Sequence, residues 1–452
     1  MTESKKVTRR DYLKTAGAAV VGLAVGYGAS EALRVPTPTG PGVTETVTMT
    51  GAAESPIKEV TIGVLTTMSG GGAGAGQENK RVYDQYIEDY NAAGGVKRGP
   101  LKGAKIKLTY ADNQTLPEVS TTEAERLVTS GTINLMMGGN WSINTAPQKE
   151  VCDKYGFPLL NDNSSRIGLT KGANNKWFWR SHPHDEVYLQ NVFRFLKDLQ
   201  KKTGVEIKTI GVTWVNDNYG IPQNEYLVNV LNKDPELGGY DVLYDIPVLT
   251  GTPSVDSEVL TIKKKVPDVH FLVSHLAETM LLVKTMRTYD VNPKLMIELS
   301  SEILDDRFGD SVGGLADGIA SRAVWAPDVN KPLSLDFEKK YKAKWGYEIG
   351  DGCEGAAIQV ATKMFENVQE ASVEPKVLQR AFNSLYIPPE EMMVPWGVLF
   401  WPPGTLDAGE NLLAGVCIEQ YTGAYERHTV WPFDAASKDV AFPVKTWKER
   451  GL

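Results

Sequence analysis

The sequence predicts an α/β protein built from two doubly wound, Rossmann-like lobes. Short apolar, β-branched runs alternate with helical patterns along most of the chain. The alternation comes in two successive sets of about four strands, with connections long enough for the helical crossovers that parallel strands require. No sequence repeat relates the two sets.

Taken in order, the first set places strands at 60–66, 105–110, 132–137 and 157–160, with helical patterns at 77–92, 119–130 and 145–155 between them. After KWFWRSHPHD (176–185) the alternation restarts, with strands at 208–215, 241–246, 269–274 and 294–298 and helices such as 187–201 and 278–289. Two long helical patterns follow, SLDFEKKYKAKWG and EGAAIQVATKMFENVQEA, and then a Trp/Pro/Gly-rich tail from Met392.

The front of the chain reads differently. Residues 1–33 contain TRRDYLK and then an uncharged run as far as Ser30. An apolar stretch of about 15 residues suits an export signal, whereas a spanning helix needs about 20. Paired arginines at Arg9 and Arg10 match the twin-arginine type. No cysteine follows to carry a lipid, and the weak cleavage site leaves both release and retention as a tether open. Residues 34–56 form a Pro/Thr/Gly spacer, so the mature domain begins near Ile57, periplasmic or at the cell surface.

The formal net charge is −8, and the first 30 residues are net basic, so the remainder is more acidic still. Such a surface excludes nucleic acid and anionic membrane as ready partners. Cys152, Cys353 and Cys417 are too widely spaced for a metal motif; one disulfide is possible, but spacing cannot pair them. No cofactor or metal is expected.

Three motifs test for chemistry. Five glycines occupy 70–76 after the first strand, but the acidic end of the second strand, Asp112, falls about 40 residues past Gly70, where a dinucleotide fingerprint wants about 20. No Lys-Ser/Thr pair follows, so a phosphate loop is absent. Gly309-Asp-Ser-Val-Gly313 fits G-x-S-x-G, but with a helical pattern before the serine and a strand after it, the reverse of a nucleophile elbow. His182-Pro-His-Asp185 reads as a turn with Asp185 capping the next helix. No enzyme machinery is visible.

In order and spacing, IGVLTTMSG, YNAAGGV, LTYADNQTLPE, MMGGNWSINTA, FPLLNDNSS, WFWRSHPHD, VNDNYG, VPDVHFLVSH, LADGIASRAVW and FEKKYKAKWG resemble a periplasmic solute-binding protein of the leucine/isoleucine/valine-binding family, fold type I. The resemblance covers roughly 57–370. It implies two lobes joined by a three-segment hinge, near 180–185, 323–327 and 388–395, with a ligand cleft between them. One lobe would be 57–180 with 322–390, the other 181–321 with 391–452. In such a protein the glycine loop lines the cleft.

Carried over by position, Ser142 would bind a ligand carboxylate, Asn163 would act through its backbone, Ser165 would bind the head group and Tyr219 would be the second lobe's aromatic. Ala75 stands where the family has a large aromatic, and Trp141 arrives beside Ser142, so the pocket is reshaped. The amine-binding glutamate falls at Ser300 or Ser301, flanked by Glu298 and Glu302; Glu298 is the nearest carboxylate, while His275 and Leu276 fall around another family tyrosine. The resemblance implies a monomeric, non-enzymatic subunit of an ABC importer that takes a branched-chain amino acid and docks on membrane permease subunits. An amide, urea-like or aromatic carboxylate ligand, or a sensory receptor role, are the alternatives.

Overall fold

The computed structural model describes residues 55–452 apart from 71–72, 173, 218, 305, 347 and 351–352. The expected export segment and nearly all of the spacer lie outside these residues.

β1 (Glu59–Thr66) is buried without interruption over its last five positions, as a central parallel strand covered on both faces should be. α1 (Ala73–Ala92) packs Val82, Tyr83, Ile87 and Tyr90 inward. Its start sits so close to the preceding loop that a Cβ on Gly76 would lie 1.7 Å from the Thr67 carbonyl oxygen. Glycine at this position serves close packing. β2 (Lys105–Asp112), α2 (Pro117–Thr129), β3 (Leu135–Gly138), α3 (Ser142–Tyr155), β4 (Leu159–Asn161) and β5 (Phe178–Arg180) complete a five-stranded parallel sheet, sheet A, in the order β2-β1-β3-β4-β5.

The second sheet, sheet B, repeats this plan. α4 (Asp185–Thr203) leads into β6 (Thr209–Val215), α5 (Gly220–Glu225), β7 (Asp241–Val248), α6 (Asp256–Lys264), β8 (Val269–Val273), α7 (Leu276–Thr288), β9 (Leu295–Glu298), α8 (Asp306–Val312) and β10 (Ala320–Ala323). The parallel strands run β7-β6-β8-β9-β10, the same winding as sheet A. α4 buries Phe193 against Phe271 of β8, with ring centroids 5.8 Å apart.

The chain then returns to sheet A. α9 (Pro332–Trp345), α10 (Cys353–Glu366) and α11 (Pro375–Asn383) cover it: Tyr90 O–H donates to Glu366 Oε1 at 2.8 Å, and Trp179 of β5 stacks on Phe382 at 4.5 Å. β11 (Tyr386–Ile387) pairs with β12 (Val398–Leu399), and the tail then runs along β5, where Arg180 N–H donates to Gly409 O at 2.9 Å. Finally β13 (Cys417–Thr422) and β14 (Glu426–Trp431) form an antiparallel hairpin that extends sheet B beyond β10.

Several expectations change. The hairpin was not legible, because CIEQYT and ERHTVW carry charged and polar residues at buried positions. α3 starts at Ser142, three residues earlier than its apolar pattern. Asp185 is the first helical residue and His184 the N-cap, without a side-chain cap. Cys152, Cys353 and Cys417 are each buried and unbridged. Ser311 of the G-x-S-x-G match lies within α8 and accepts from Lys284 Nζ at 2.9 Å.

Candidate functional site

A doubly wound sheet opens a crevice at the carboxyl ends of its strands, where the strand order reverses. That point lies between β1 and β3 in sheet A and between β6 and β8 in sheet B. The loops leaving these strands and their neighbours therefore define the candidate site.

On the first lobe, Gly138, Gly139 and Asn140 follow β3 with φ of 124°, 113° and 56°. A Cβ on Gly138 would lie 2.4 Å from the Leu65 carbonyl oxygen, so a side chain there would collide with β1. This turn delivers Trp141, 43% exposed, as the N-cap of α3, with Ser142 in its first turn. The unpaired N–H groups and positive dipole end of a helix start favour a carboxylate. Ser142 Oγ accepts from Arg166 N–H at 3.2 Å and can still donate its own proton.

Behind this face runs a buried network. Asp162 accepts from Tyr83 O–H at 2.7 Å and from Asn140 N–H at 3.2 Å. Burial raises the Asp162 carboxyl above its usual range, and these two donors oppose the rise. Asn163 Nδ2 donates to Asn140 Oδ1 and to Glu354 Oε1, 3.3 Å each. With its amide nitrogen turned toward them, Asn79 donates to Ala75 O at 2.6 Å and to Glu354 Oε1 at 2.7 Å.

The second lobe presents charge. Asp217 Oδ1 accepts from the N–H groups of Tyr219 at 2.8 Å and Gly220 at 3.0 Å. Its Oδ2 accepts from Thr250 Oγ1 at 3.0 Å and from His275 Nε2 at 2.9 Å. His275 Nδ1 is 3.0 Å from Glu302 Oε1, whose other oxygen accepts from Leu276 N–H at 2.7 Å. Glu302 above all, and Asp217 after it, push the His275 pKa up to about 9 against the effect of burial. The imidazole is thus a cation that donates from both nitrogens, with no lone pair left for a metal. The Tyr219 ring lies over it at 5.2 Å, and the Tyr219 hydroxyl is buried with no hydrogen-bond partner among the described residues.

Asp185 joins the two faces. Its N–H donates to Ser165 O at 3.0 Å. Burial raises its carboxyl, which the Ser165 hydroxyl, Arg322 and Arg180 hold down. Arg180 Nη1 also donates to Ser165 O, at 2.9 Å. Arg322 lies over the Tyr188 ring at 3.9 Å and donates to Leu299 O at 3.0 Å. His182 is fully buried nearby, and burial together with Arg180 and Arg322 drives its pKa well below the usual value.

The structure places Ala75, Trp141, Ser142, Asn163 and Ser165 on first-lobe loops or helix starts, and Tyr219, Glu298 and Ser301 on the second lobe. Asn163 makes its contacts here through its side chain, and the Ser165 hydroxyl is engaged by Asp185. Glu298 ends β9, as its strand register requires, but is fully buried. It accepts from Ser300 N–H and Oγ, from Ser301 N–H at 3.0 Å and from Ser321 Oγ at 2.7 Å. A carboxylate has about four acceptor positions, so an ammonium would have to displace one of these donors. Burial pushes the Glu298 pKa up to about 7. Ser301, at φ 66°, forms the turn that wraps Glu298. Sequence reading missed Asp162, Glu354, Asp217 and Arg322; for Asp217, the motif DNYG held the signal, since an aspartate before a helix start caps it.

Residues 59–381 match the family described as periplasmic binding protein. "Leu/Ile/Val-binding protein homolog 8" of Brucella abortus is 24% identical over 356 residues, 76% of this chain and 85% of the relative. The fold recurs in the branched-chain amino acid transporter substrate binding protein LivJ of Streptococcus pneumoniae, solved with isoleucine, at a TM-score of 0.64 and 15% identity, covering 82% of this chain and 98% of that one. It recurs too in a solute binding protein of an ABC transporter from Rhodopseudomonas palustris, solved with 3,4-dihydroxybenzoic acid, at a TM-score of 0.61 and 15% identity, covering 80% and 93%. Proteins of this family bind solutes outside the cytoplasmic membrane. The chain belongs to the periplasmic binding protein family, fold type I, of the leucine/isoleucine/valine-binding kind.

Proposed function

We propose that this chain is the extracytoplasmic solute-binding subunit of an ABC importer. It captures a small carboxylate-bearing solute between its lobes, hands it to membrane permease subunits and catalyses no reaction. The observation that carries this reading is the pair of switch-point faces, one with an open helix start at Trp141 and Ser142, the other with Tyr219 and His275, in a chain of the periplasmic binding protein family. The solute's carboxylate would sit on the Ser142 hydroxyl and the α3 N–H groups. Closure about chain crossings near 180–185, 323–327 and 388–395 would bury it. Export through the twin-arginine route fits the front of the sequence.

Kinship favours a branched-chain amino acid, since the relative is named as a Leu/Ile/Val-binding protein homologue and the LivJ structure holds isoleucine. Exposed Trp141 and the saturated Glu298 favour a second reading, an aromatic or other acid without an amine. A thermal-shift screen of the purified chain against amino acids, amides and small organic acids tests the function. A rise in melting temperature with one group of acids is expected; no response to any of them would reject the reading.

A further inference from the structure

We propose that His275 takes the place of the ligand's ammonium group, so that the cleft accepts a small carboxylate without an amine. The inference rests on the solute-binding reading and names its substrate class. An ammonium closed between two lobes needs a negative partner, because an unpaired buried charge is costly. Asp217 and Glu302 on the second lobe's cleft face already close on one cation, His275, at 2.9 and 3.0 Å. The other acceptor positions of Asp217 hold the N–H groups of Tyr219 and Gly220 and the Thr250 hydroxyl, and the second oxygen of Glu302 holds Leu276 N–H. Glu298, at the strand end next to them, is filled by Ser300, Ser301 and Ser321.

On the first lobe, Asp162 is covered by Tyr83 and Asn140, and Glu354, 4% exposed, by Asn79 and Asn163. At the junction the Asp185 carboxyl is engaged by the Ser165 hydroxyl beside Arg322 and Arg180, so an incoming ammonium would have to share Glu302 with the His275 imidazolium. What the cleft does offer is a helix start for a carboxylate, the exposed indole of Trp141 for an apolar body, and, for a neutral polar group, the Tyr219 hydroxyl, buried and without a partner among the described residues.

The test compares pairs that differ by the amine alone: leucine with 4-methylpentanoate, and phenylalanine with 3-phenylpropanoate, by titration calorimetry on the wild-type chain. At least tenfold tighter binding of the amine-free member of a pair is expected. Leucine or phenylalanine binding within tenfold of its partner, or tighter, overturns the inference and leaves solute binding intact. No binding by any of the four overturns the inference together with the carboxylate-cleft reading beneath it. His275→Gln, which frees Asp217 and Glu302, should move the ratio toward the amino acid by tenfold or more; His275→Lys, which keeps a cation, should retain the wild-type preference. The same shift in both variants would also count against the proposal.

Discussion

Sheet A and sheet B wind in the same order, yet their switch points are closed by different chemistry. Sheet A turns through Gly138, Gly139 and Asn140 in left-handed backbone, backed by hydroxyls, amides and the covered Asp162. Sheet B turns through Ser274 and His275 with ordinary negative φ, and its face is the ion group of Asp217, His275 and Glu302. Topology sets where a ligand sits; the loop residues decide what sits there. The sheet edges differ as well. β5 of sheet A is covered by the tail, which supplies Glu410 to the buried Arg180, while its counterpart in sheet B, β10, is covered by the β13–β14 hairpin.

These contrasts can be broken one at a time. Glu410→Gln should cost the most, about 3–5 kcal/mol of unfolding free energy, because it removes the carboxylate paired with buried Arg180 and leaves only the more distant Asp185 to offset that charge. Urea denaturation measures it, and a loss below about 1 kcal/mol would show that the sheet A edge does not depend on this pair. Gly138→Ala should cost about 2–3 kcal/mol, from left-handed strain together with collision with Leu65. At the matching turn of sheet B, Ser274→Ala should cost only about 1 kcal/mol, the value of its 2.7 Å bond to Thr279. Equal losses at the two turns would remove the distinction between them.

Ser142→Ala should leave the melting temperature of the free chain unchanged and weaken the bound carboxylate by about 1.5–3 kcal/mol, roughly 10- to 150-fold in affinity. Unchanged affinity would reduce Ser142 to a partner of Arg166.

The smallest effect is pH-dependent stability on the second lobe. His275 holds its proton more tightly folded than unfolded, its pKa rising from 6.5 to about 9. Its stabilisation is therefore complete below the unfolded value and fades as pH rises through about 9. Wild type should lose its advantage over His275→Gln between those values, read as melting temperature against pH. Glu298, raised from 4.5 to about 7, has the same sign at lower pH and is common to both proteins. A difference that stays flat across the window would mean that His275 is not held as a cation.

The strand–helix alternation was legible because both central sheets are built from short, mostly apolar, buried strands such as β1 and β8, set apart by longer helical patterns. The β13–β14 hairpin was not, since its buried Glu419 and Gln420 read as surface residues until their long-range partners are known. The positions of Trp141, Ser142 and Tyr219 followed from loop order. The engagement of Glu298 did not: its filling by Ser300, Ser301 and Ser321 depends on a turn at φ 66° and on a neighbouring strand 23 residues away. Likewise His275 lies 58 residues from Asp217 and 27 from Glu302, so no local pattern announces the ion group.

If the two lobes hold one small solute between them, the chain should carry it through purification. Native mass spectrometry of the chain as purified, followed by identification of what is released on unfolding, tests it most directly. One small organic acid per chain is expected, lost from Ser142→Ala under the same purification. A chain that carries nothing, and still retains nothing after incubation with pooled small acids, amino acids and amides, would contradict it.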